Sequence, residues 1–258
     1  MEIITSRQNA LVKSLKKQID SRRARRESGQ VIAEGIHLFD IQRSVGVTPE
    51  LIVIAERCRS RPEIAALIDL SPASRIVVLS DDIFDQIAPA DTPNGLLTVG
   101  NEPVADASDL QSVDTLVLDR VQDPGNVGSL IRTAVAAGVR QIVLSSGCAD
   151  PWSPRCLRAG QGAQWLAKVF TEVDLNAFLG NFSGAVAATV LNGGSSLYEH
   201  PLTQVTAWLF GNEGQGVDPQ LITHATQRIT IPMPGGMESL NVNAAAAVCL
   251  FEQVRQRR

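Results

Sequence analysis

The side chains best suited to chemistry lie in three glycine-rich loops, each of which follows a short apolar run and precedes a helix-like segment. The loops read PGNVGSLIRTA, GNEGQGV and IPMPGGMESLNVNAA, and they begin at Pro124, Gly211 and Ile231. Glycine lets a backbone approach a ligand closely, because it carries no Cβ. A strand, a glycine loop and a helix of small residues together favour a ligand site, although an ordinary αβ loop has the same pattern.

Other kinds of site lack their usual signatures. The four cysteines and three histidines are scattered, without a CxxC pair or a Ser-His-Asp pattern, so neither a metal site nor a disulfide framework is expected. No GxGxxG sequence follows the apolar run at Thr115–Leu118, which removes the main support for a dinucleotide cofactor. No apolar run reaches eighteen residues, and the N-terminus lacks a secretory apolar region. These features favour a cytoplasmic protein without a membrane span.

In their order and spacing, the three loops resemble the signature motifs of the SpoU (TrmH) branch of the SPOUT RNA methyltransferases. The resemblance runs from about Thr115 to the C-terminus. The earlier sequences ITSRQNALVKSLKK and VIAEGIHLFDIQ resemble the start of the substrate-binding domain that many members carry. The resemblance implies transfer of a methyl group from S-adenosylmethionine to a ribose 2′-hydroxyl in RNA.

The resemblance also implies catalytic roles for polar residues of the loops, and Arg132 has the most weight. In the family the matching arginine is essential, sometimes as the base, but a guanidinium with a pKa above about 12 is a poor base. Binding of the adjacent phosphate, with stabilisation of charge on the attacking oxygen, suits Arg132 better. Glu213 could position Arg132 or a loop N–H. The structural alternative is a plain ion pair between Arg132 and Glu213. The implied catalytic set is Arg132, Asn126, Glu213, Ser239 and Asn241.

Ser239 and Asn241 also suit a purely structural role, since both residue types cap helix starts. The cofactor site implied by the family is built mostly from backbone groups of the loops. Its residues are Thr189, Gly211, Ile231 and Leu240. Thr189 stands at the end of a predicted strand and is equally well explained as a plain strand terminus.

Charge is distributed unevenly along the chain, although the net charge is only −4. Residues 1–26 carry eight Lys or Arg and two acidic residues, whereas residues 27–112 carry five and fourteen. An apolar stripe predicts a single helix from Asn9 to Arg26. Its cations either neutralise RNA phosphates or form a solvated face. The candidate RNA-binding residues are Lys13, Lys17, Arg22, Arg23, Arg25 and Arg26.

A second candidate RNA contact lies further along the chain, where Arg155 and Arg158 stand near Trp152. A lone tryptophan beside arginines is also consistent with simple packing of the indole.

Alternating apolar runs and helix-like segments predict two α/β parts. Residues 1–100 form a substrate-binding domain, which the resemblance makes ribosomal-protein-like; 101–113 form a linker, and 114–258 the methyltransferase domain. The predicted strands are Val31–Ala33, Leu51–Ala55, Arg75–Leu79, Leu96–Val99, Thr115–Leu118, Gln141–Ser145, Lys168–Thr171, Val186–Val190, Ala207–Phe210 and Arg228–Ile231. Continuous apolar strands in the second part predict a parallel sheet covered on both faces. Periodicity does not predict a knot, and only the resemblance implies that the C-terminal segment forms a trefoil knot around the cofactor.

The last predicted helix carries small, mostly apolar residues on one face. These are Val242, Ala245, Ala246, Cys249 and Gln253. The family pairs subunits through this region, so a homodimer is expected, with packing against the chain's own sheet as the alternative. The extra N-terminal domain is more like members that act on large-subunit ribosomal RNA, which makes ribosomal RNA the expected substrate. A transfer RNA methyltransferase and a non-catalytic RNA- or ribosome-binding protein on the same fold are the alternatives.

Overall fold

A computed structural model describes residues 3–258 and divides into two compact units. The first unit runs up to Pro103 and includes Trp152–Trp165; the second consists of Val104–Pro151 and Leu166–Arg258. The strands are β1 (Ile3–Ile4), β2 (Gln30–Glu34), β3 (Leu51–Ala55), β4 (Arg75–Leu79), β5 (Leu96–Asn101), β6 (Thr115–Leu118), β7 (Gln141–Leu144), β8 (Lys168–Phe170), β9 (Ala185–Thr189), β10 (Ser195–Ser196), β11 (Thr206–Phe210) and β12 (Gln227–Thr230). The α-helices are α1 (Ala10–Asp20), α2 (Arg22–Ser28), α3 (Ile36–Ser44), α4 (Pro62–Asp69), α5 (Asp81–Ile87), α6 (Pro124–Ala136), α7 (Pro154–Gly160), α8 (Leu175–Gly180), α9 (Pro219–Ile222) and α10 (Val242–Gln256).

The first unit is built on a five-stranded mixed sheet with the order β1-β4-β3-β5-β2. Strands β1, β4 and β3 are parallel, while β5 is antiparallel to both β3 and β2. All five residues of β3 are buried, as expected of an apolar strand at the centre of a sheet. Every strand predicted for this part occurs, and only the two-residue β1 has no predicted counterpart.

The predicted single helix from Asn9 to Arg26 is wrong, because the chain turns at Ser21. This residue has extended backbone angles (φ −128°, ψ 116°), and its hydroxyl accepts from a backbone N–H in α2. The guanidinium of Arg25 donates to the carbonyl oxygens of Gln18 (2.7 Å) and Ile19 (3.2 Å) in the last turn of α1. Arg25 therefore satisfies carbonyl groups that the end of α1 leaves without a helical partner.

The segment Trp152–Trp165 falls within the predicted C-terminal domain, yet it groups with the first unit. Its helix α7 contacts β2, and the Trp152 and Trp165 ring centroids are 5.8 Å apart. Gly162 lies so close to α3 that a Cβ there would be 3.1 Å from Leu38 and 3.2 Å from Ile41. Trp152 is 2% exposed, so the packing alternative holds for this side chain. These contacts are long-range, and the local pattern of residues 152–165 carries no sign of them.

The second unit is built on a seven-stranded parallel sheet with the order β10-β12-β9-β11-β6-β7-β8. Strands β6, β7 and β11 are buried along their whole length, which confirms the prediction of a parallel sheet covered on both faces. The chain runs from β6 to β7 and β8 on one side, while β11, β9 and β12 lie on the other. Ligands of open parallel sheets bind outside the carboxyl ends of the strands, near such a reversal of order.

Helices α6 and α10 of the second unit pack against each other. Helix α6 follows β6 and is capped by Asp123, whose side chain accepts from the backbone N–H of Asn126 at 2.9 Å. Helix α10 follows β12 after the loop 231–241. The packing of these two helices brings the first and third glycine-rich loops together.

Candidate active site at the carboxyl edge of the parallel sheet

Three of the four predicted cofactor residues stand at the carboxyl ends of neighbouring strands. Thr189 is the last residue of β9, Gly211 follows β11, and Ile231 follows β12. Strand β9 lies between β11 and β12, and the register pairs Thr189 with Ile229. Leu240 lies in the loop after Ile231 and is 41% exposed. The three strand ends therefore form one edge that presents backbone groups.

Gly211 is required by a close approach of two backbone segments. A Cβ at this position would lie 2.2 Å from the carbonyl carbon of Gly216, a distance that no side chain tolerates. Asn212 and Gly216 exchange backbone hydrogen bonds, and the Asn212 side chain accepts from two further N–H groups of the loop. The same side chain donates to the carbonyl oxygen of Arg120 at 2.9 Å. The second glycine-rich loop is thus tightly folded and tied to the end of β6.

A chain of hydrogen bonds joins one residue from each of the three loop segments. The side-chain nitrogen of Asn126 donates to Glu213 at 2.9 Å, and the side-chain nitrogen of Asn243 donates to the Asn126 oxygen at 2.7 Å. The direction is fixed because an ionised carboxylate only accepts: Asn126 turns its nitrogen to Glu213, and its oxygen then needs a donor. Asn126 is therefore held at both ends of its amide. The side-chain oxygen of Asn243 is buried and has no hydrogen-bond partner among the described residues.

The carboxylate of Glu213 also serves the start of α6. It accepts from the backbone N–H groups of Gln122 and Asp123, both at 3.3 Å. Burial alone would raise the pKa of Glu213, but the hydrogen bonds from Asn126 and the backbone N–H groups outweigh it and lower the pKa. Glu213 is therefore an ionised acceptor at neutral pH. Of its two predicted contacts, the loop N–H groups are present and the ion pair with Arg132 is not.

Arg132 stands on the solvent side of α6. It is exposed, and it makes no hydrogen bond or ion pair with any residue in the range 3–258. At helical spacing it shares a stripe with Gly125, Ser129 and Ala136, which are all small. The guanidinium is consequently accessible to a phosphate group.

Only one of the two predicted helix caps performs that role. Asn241 is the N-cap of α10, and its side chain accepts from the backbone N–H of Asn243 at 2.9 Å. Ser239 lies two residues earlier in an exposed part of the loop and makes no hydrogen bond with the described residues. The Ser239 hydroxyl is thus available to a ligand, whereas Asn241 has a structural function already.

Asn243 is a site residue that sequence reasoning does not find. It lies 117 residues after Asn126 and just inside a helix pattern, where Val242 precedes it and four alanines follow it. The signal that the sequence offers is a polar residue in the apolar first half of α10. Its contact with Asn126 depends on the packing of α10 against α6, which no local pattern specifies.

The predicted RNA-binding residues of α1 and α2 are in different environments. Those that are exposed, named here the N-terminal cations, are Lys13, Lys17, Arg23 and Arg26. Arg22 is half-buried, and Arg25 is only 5% exposed. Since the Arg25 guanidinium is committed to the carbonyls of α1, the structure removes this residue from the RNA-binding set. Arg23 forms an exposed ion pair with Glu27 at 2.7 Å, and such pairs are weak enough to be exchanged for a phosphate.

The predicted subunit-contact face of α10 is largely used inside the chain. Ala246, Cys249 and Gln253 are buried, and Gln253 accepts from the indole nitrogen of Trp208 at 2.9 Å. Burial raises the pKa of the Cys249 thiol to about 12. The alternative, packing within the unit, is therefore correct for these residues. The outer stripe of α10 instead carries Ala244, Val248 and Phe251, and Phe251 is 48% exposed.

Among residues 3–258, no group of three or more His, Cys, Asp and Glu side chains is arranged to hold a metal ion. Over the same range, none of the helices combines the length and the apolar character needed to cross a membrane. All four cysteines are buried thiols.

The fold and the loops define a two-unit α/β protein with a candidate ligand site at the carboxyl edge of a parallel sheet. Residues 114–251 match the SpoU rRNA Methylase family, and residues 9–98 match the MRM3-like substrate binding domain. The 23S rRNA (guanosine(2553)-2′-O)-methyltransferase RlmP of Bacillus subtilis is 32% identical, over 97% of this chain and 98% of its own. The chain belongs to the SpoU rRNA methylase family.

Solved structures agree with this assignment. An AdoMet-bound rRNA methyltransferase from Sinorhizobium meliloti has a TM-score of 0.85 at 26% identity, covering 98% of this chain and 97% of that one. The SpoU methyltransferase AviRb from Streptomyces viridochromogenes, in complex with AdoMet, has a TM-score of 0.84 at 22% identity, covering 96% and 99%. The second likeness is one of fold alone.

Proposed function

We propose that this protein transfers the methyl group of S-adenosylmethionine to a ribose 2′-hydroxyl of ribosomal RNA. The observation that carries the proposal is the hydrogen-bonded chain Glu213–Asn126–Asn243, which links all three motif segments at the carboxyl ends of the strands. Membership of the SpoU rRNA methylase family and the ribosomal RNA methyltransferase named among its relatives favour ribosomal over transfer RNA.

The residues present fit S-adenosylmethionine. Thr189, Gly211 and Ile231 lie side by side at the carboxyl ends of β9, β11 and β12, so the strand edge offers backbone groups to a ligand. The buried and unpartnered oxygen of Asn243 offers an acceptor nearby in the third loop segment. Thr189, Gly211, Ile231 and Leu240 would hold the cofactor, mostly through their backbone groups. When bound, S-adenosylmethionine supplies an electrophilic methyl group on a sulfonium leaving group.

Arg132 would bind the phosphate beside the reacting ribose through its guanidinium fork. Its fixed positive charge stabilises the negative charge that develops on the 2′-oxygen. Because a guanidinium does not release its proton at neutral pH, the hydroxyl proton goes to the phosphate or to water. Ser239 and Asn241 would orient the ribose or its phosphate, which brings the hydroxyl oxygen into line with the methyl carbon. Asn126, restrained by Glu213 and Asn243, fixes the first loop in register with the other two.

The first unit would select the RNA. Its match to a substrate binding domain and the N-terminal cations support this role, since Lys and Arg that neutralise phosphates release counterions. The uneven charge of the chain suits this division, because RNA binding requires a locally positive face rather than a positive total.

The protein would act as a homodimer paired through the second unit. We place the subunit contact on the outer stripe of α10, Ala244, Val248 and Phe251, because Phe251 leaves apolar surface exposed there. Phe251→Asp is expected to convert the dimer into a monomer in size-exclusion chromatography with light scattering at micromolar concentration. Arg255→Gln, on the same helix, is the matched control. A monomeric wild-type protein would exclude the dimer.

The C-terminal trefoil knot and the cytoplasmic location belong to the same proposal. The end of α10 is tied to earlier chain through Arg257, which donates to the Leu202 carbonyl at 3.1 Å and to Asp114 at 3.0 Å. Such ties support a C-terminal segment held within loops of its own unit. Four buried thiols suit the reducing cytoplasm.

The substrate class is tested by incubating the protein with labelled S-adenosylmethionine and unmodified ribosomal or transfer RNA in parallel. Label in ribosomal RNA alone supports the proposal. Label in transfer RNA alone replaces the substrate class, and binding of RNA without transfer of label to either, when the cofactor is bound, would favour the non-catalytic alternative.

A further inference from the structure

The first unit contains a cavity of about 350 Å³ that the methyl-transfer site does not use. Its wall is formed by the end of β2 and the first turn of α3, together with Arg61, Asn94, and the residues Arg158 and Gln161 of the segment 152–165. All of these residues belong to the first unit. Volumes of this size are typical of sites for small organic ligands.

The local backbone leaves hydrogen-bond donors at this cavity. Gly35 connects β2 to α3 with φ +101°, a conformation that side-chain-bearing residues rarely adopt. None of the side chains described by the structure caps α3, although Ile36, His37 and Leu38 of its first turn line the cavity. The first N–H groups of a helix have no partner within the helix, and they carry partial positive charge.

Two arginines add full positive charge to the same wall. Arg61 and Arg158 are exposed, and neither makes a hydrogen bond or ion pair within the part of the chain that the structure describes. The one acid in the wall is Glu34, and both of its oxygens are committed: they accept from the backbone N–H groups of Ala90 (3.1 Å) and Asn94 (3.0 Å). Burial raises the pKa of Glu34, and the charge of Arg158 opposes this rise, so Arg158 already interacts with the carboxylate across the wall. The two guanidiniums still outnumber the single carboxylate of the wall, which leaves net positive charge for an anion.

The geometry points to a binding site for one unpaired nucleotide of the RNA substrate, and we propose this role for the cavity. The phosphate would lie between Arg61 and Arg158, near the first turn of α3, where bidentate guanidinium bonds are available. The base would enter the cavity beside His37 and the apolar side chains of Ile36 and Leu38. Unpaired bases are the features of RNA that proteins recognise most specifically, because their faces and edges are open to side chains.

The wall of the cavity combines residues from both stretches of the chain that match family models. Arg158 and Gln161 lie in the stretch that matches the SpoU methylase model, whereas the rest of the wall lies in the stretch that matches the substrate binding domain. The segment 152–165 would thus complete a substrate site built otherwise by the N-terminal domain. This inference rests on the proposed function in one respect only, which is that the ligand is RNA.

The test uses the full chain and an in vitro transcript of large-subunit ribosomal RNA, with binding measured by fluorescence anisotropy at several salt concentrations. The double variant Arg61→Gln/Arg158→Gln is expected to weaken binding by about tenfold or more and to reduce the salt slope by roughly 1 to 2. Arg75→Gln, an exposed arginine of β4 outside the cavity, is the matched control and should bind like the wild type. Cofactor affinity, measured by calorimetry, should be equal in all three proteins.

A transcript that contains 4-thiouridine gives a second readout, because photo-crosslinks to peptides with His37 or Gln161 would locate a base at the cavity. Wild-type affinity and salt slope in the double variant, or equal losses in Arg75→Gln, would overturn the proposal. RNA binding that depends on the two arginines in a protein that transfers no methyl group would uphold this site while refuting the proposed catalytic function.

Discussion

Asn243 offers the most specific test of how the three loop segments are held together. Replacing it with alanine removes the donor to Asn126, a bond of 2.7 Å. A neutral hydrogen bond is worth about 1 kcal/mol to stability. The substitution also removes the buried oxygen of Asn243, whose lack of a partner among the described residues costs about 1–3 kcal/mol. The two effects oppose each other, and even the smallest value of the second offsets the first, so Asn243→Ala should not lower the free energy of unfolding or Tm.

Activity should fall in Asn243→Ala even though stability does not. Asn126 is restrained by one bond at each end of its amide, and loss of the Asn243 bond leaves only the bond to Glu213. If that restraint is worth about 1.4 kcal/mol in the transition state, kcat/KM for methyl transfer falls about tenfold. The expected result for Asn243→Ala is therefore an enzyme whose Tm is not lowered and whose kcat/KM is about a tenth of the wild-type value.

A double-mutant cycle with Asn126→Ala shows whether Asn243 acts through Asn126. If it does, Asn243→Ala has no further effect on kcat/KM for RNA once Asn126 is alanine, provided that S-adenosylmethionine is saturating, because saturation removes any loss of cofactor contact with the Asn243 oxygen. Losses that simply multiply in the double variant would refute the reasoning, as would wild-type activity in Asn243→Ala.

Three further predictions concern charged residues. Arg132→Ala should abolish methyl transfer while cofactor affinity by calorimetry stays within a few-fold; an equal loss of cofactor binding would assign Arg132 a structural role. Replacing all four N-terminal cations with glutamine should weaken RNA binding and flatten its salt dependence. Arg25→Gln should instead lower Tm by roughly 4–8 °C, because it removes hydrogen bonds to the carbonyl groups of α1. In the folded protein, the pKa of Glu213 lies below its ordinary value of 4.5. The hydrogen bonds of the Glu213 carboxylate therefore stabilise the fold fully above pH 4.5, and this stabilisation is lost as the pH falls through the pKa of the folded protein. Urea unfolding at pH 7 and about pH 3 should therefore show a larger acid-induced loss of stability in the wild type than in Glu213→Gln, and equal losses would contradict this assignment.

The elements that the sequence predicts best are those that local pattern determines. Strands β3, β4 and β6 occur at the predicted residues, because each is a continuous apolar run with polar or turn-forming residues at its ends. The break between α1 and α2 is missed because it depends on Ser21 as a cap and on the reach of Arg25 back to α1. The strand β1 is missed because two residues become a strand only by pairing with β4, more than seventy residues later.

In the candidate site, too, local sequence predicts some features, whereas others depend on tertiary packing. The positions of Asn126, Glu213 and Asn241 in the loops follow from sequence, since their motifs are continuous stretches. The partners of these residues depend on how α6 and α10 pack. This packing decides that Glu213 binds Asn126 rather than Arg132, and that Asn243 completes the chain of hydrogen bonds. The grouping of residues 152–165 with the first unit is likewise a property of tertiary contacts.

The central claim is that the methyl group is transferred to a ribose 2′-oxygen, and the product of the reaction tests it most directly. Ribosomal RNA methylated with labelled S-adenosylmethionine would be hydrolysed in alkali, which cleaves the phosphodiester only where the neighbouring 2′-hydroxyl is unmodified. We expect label in alkali-resistant dinucleotides, and none after reaction with Arg132→Ala. Label recovered in ordinary mononucleotides would mean methylation of a base and would contradict the central claim.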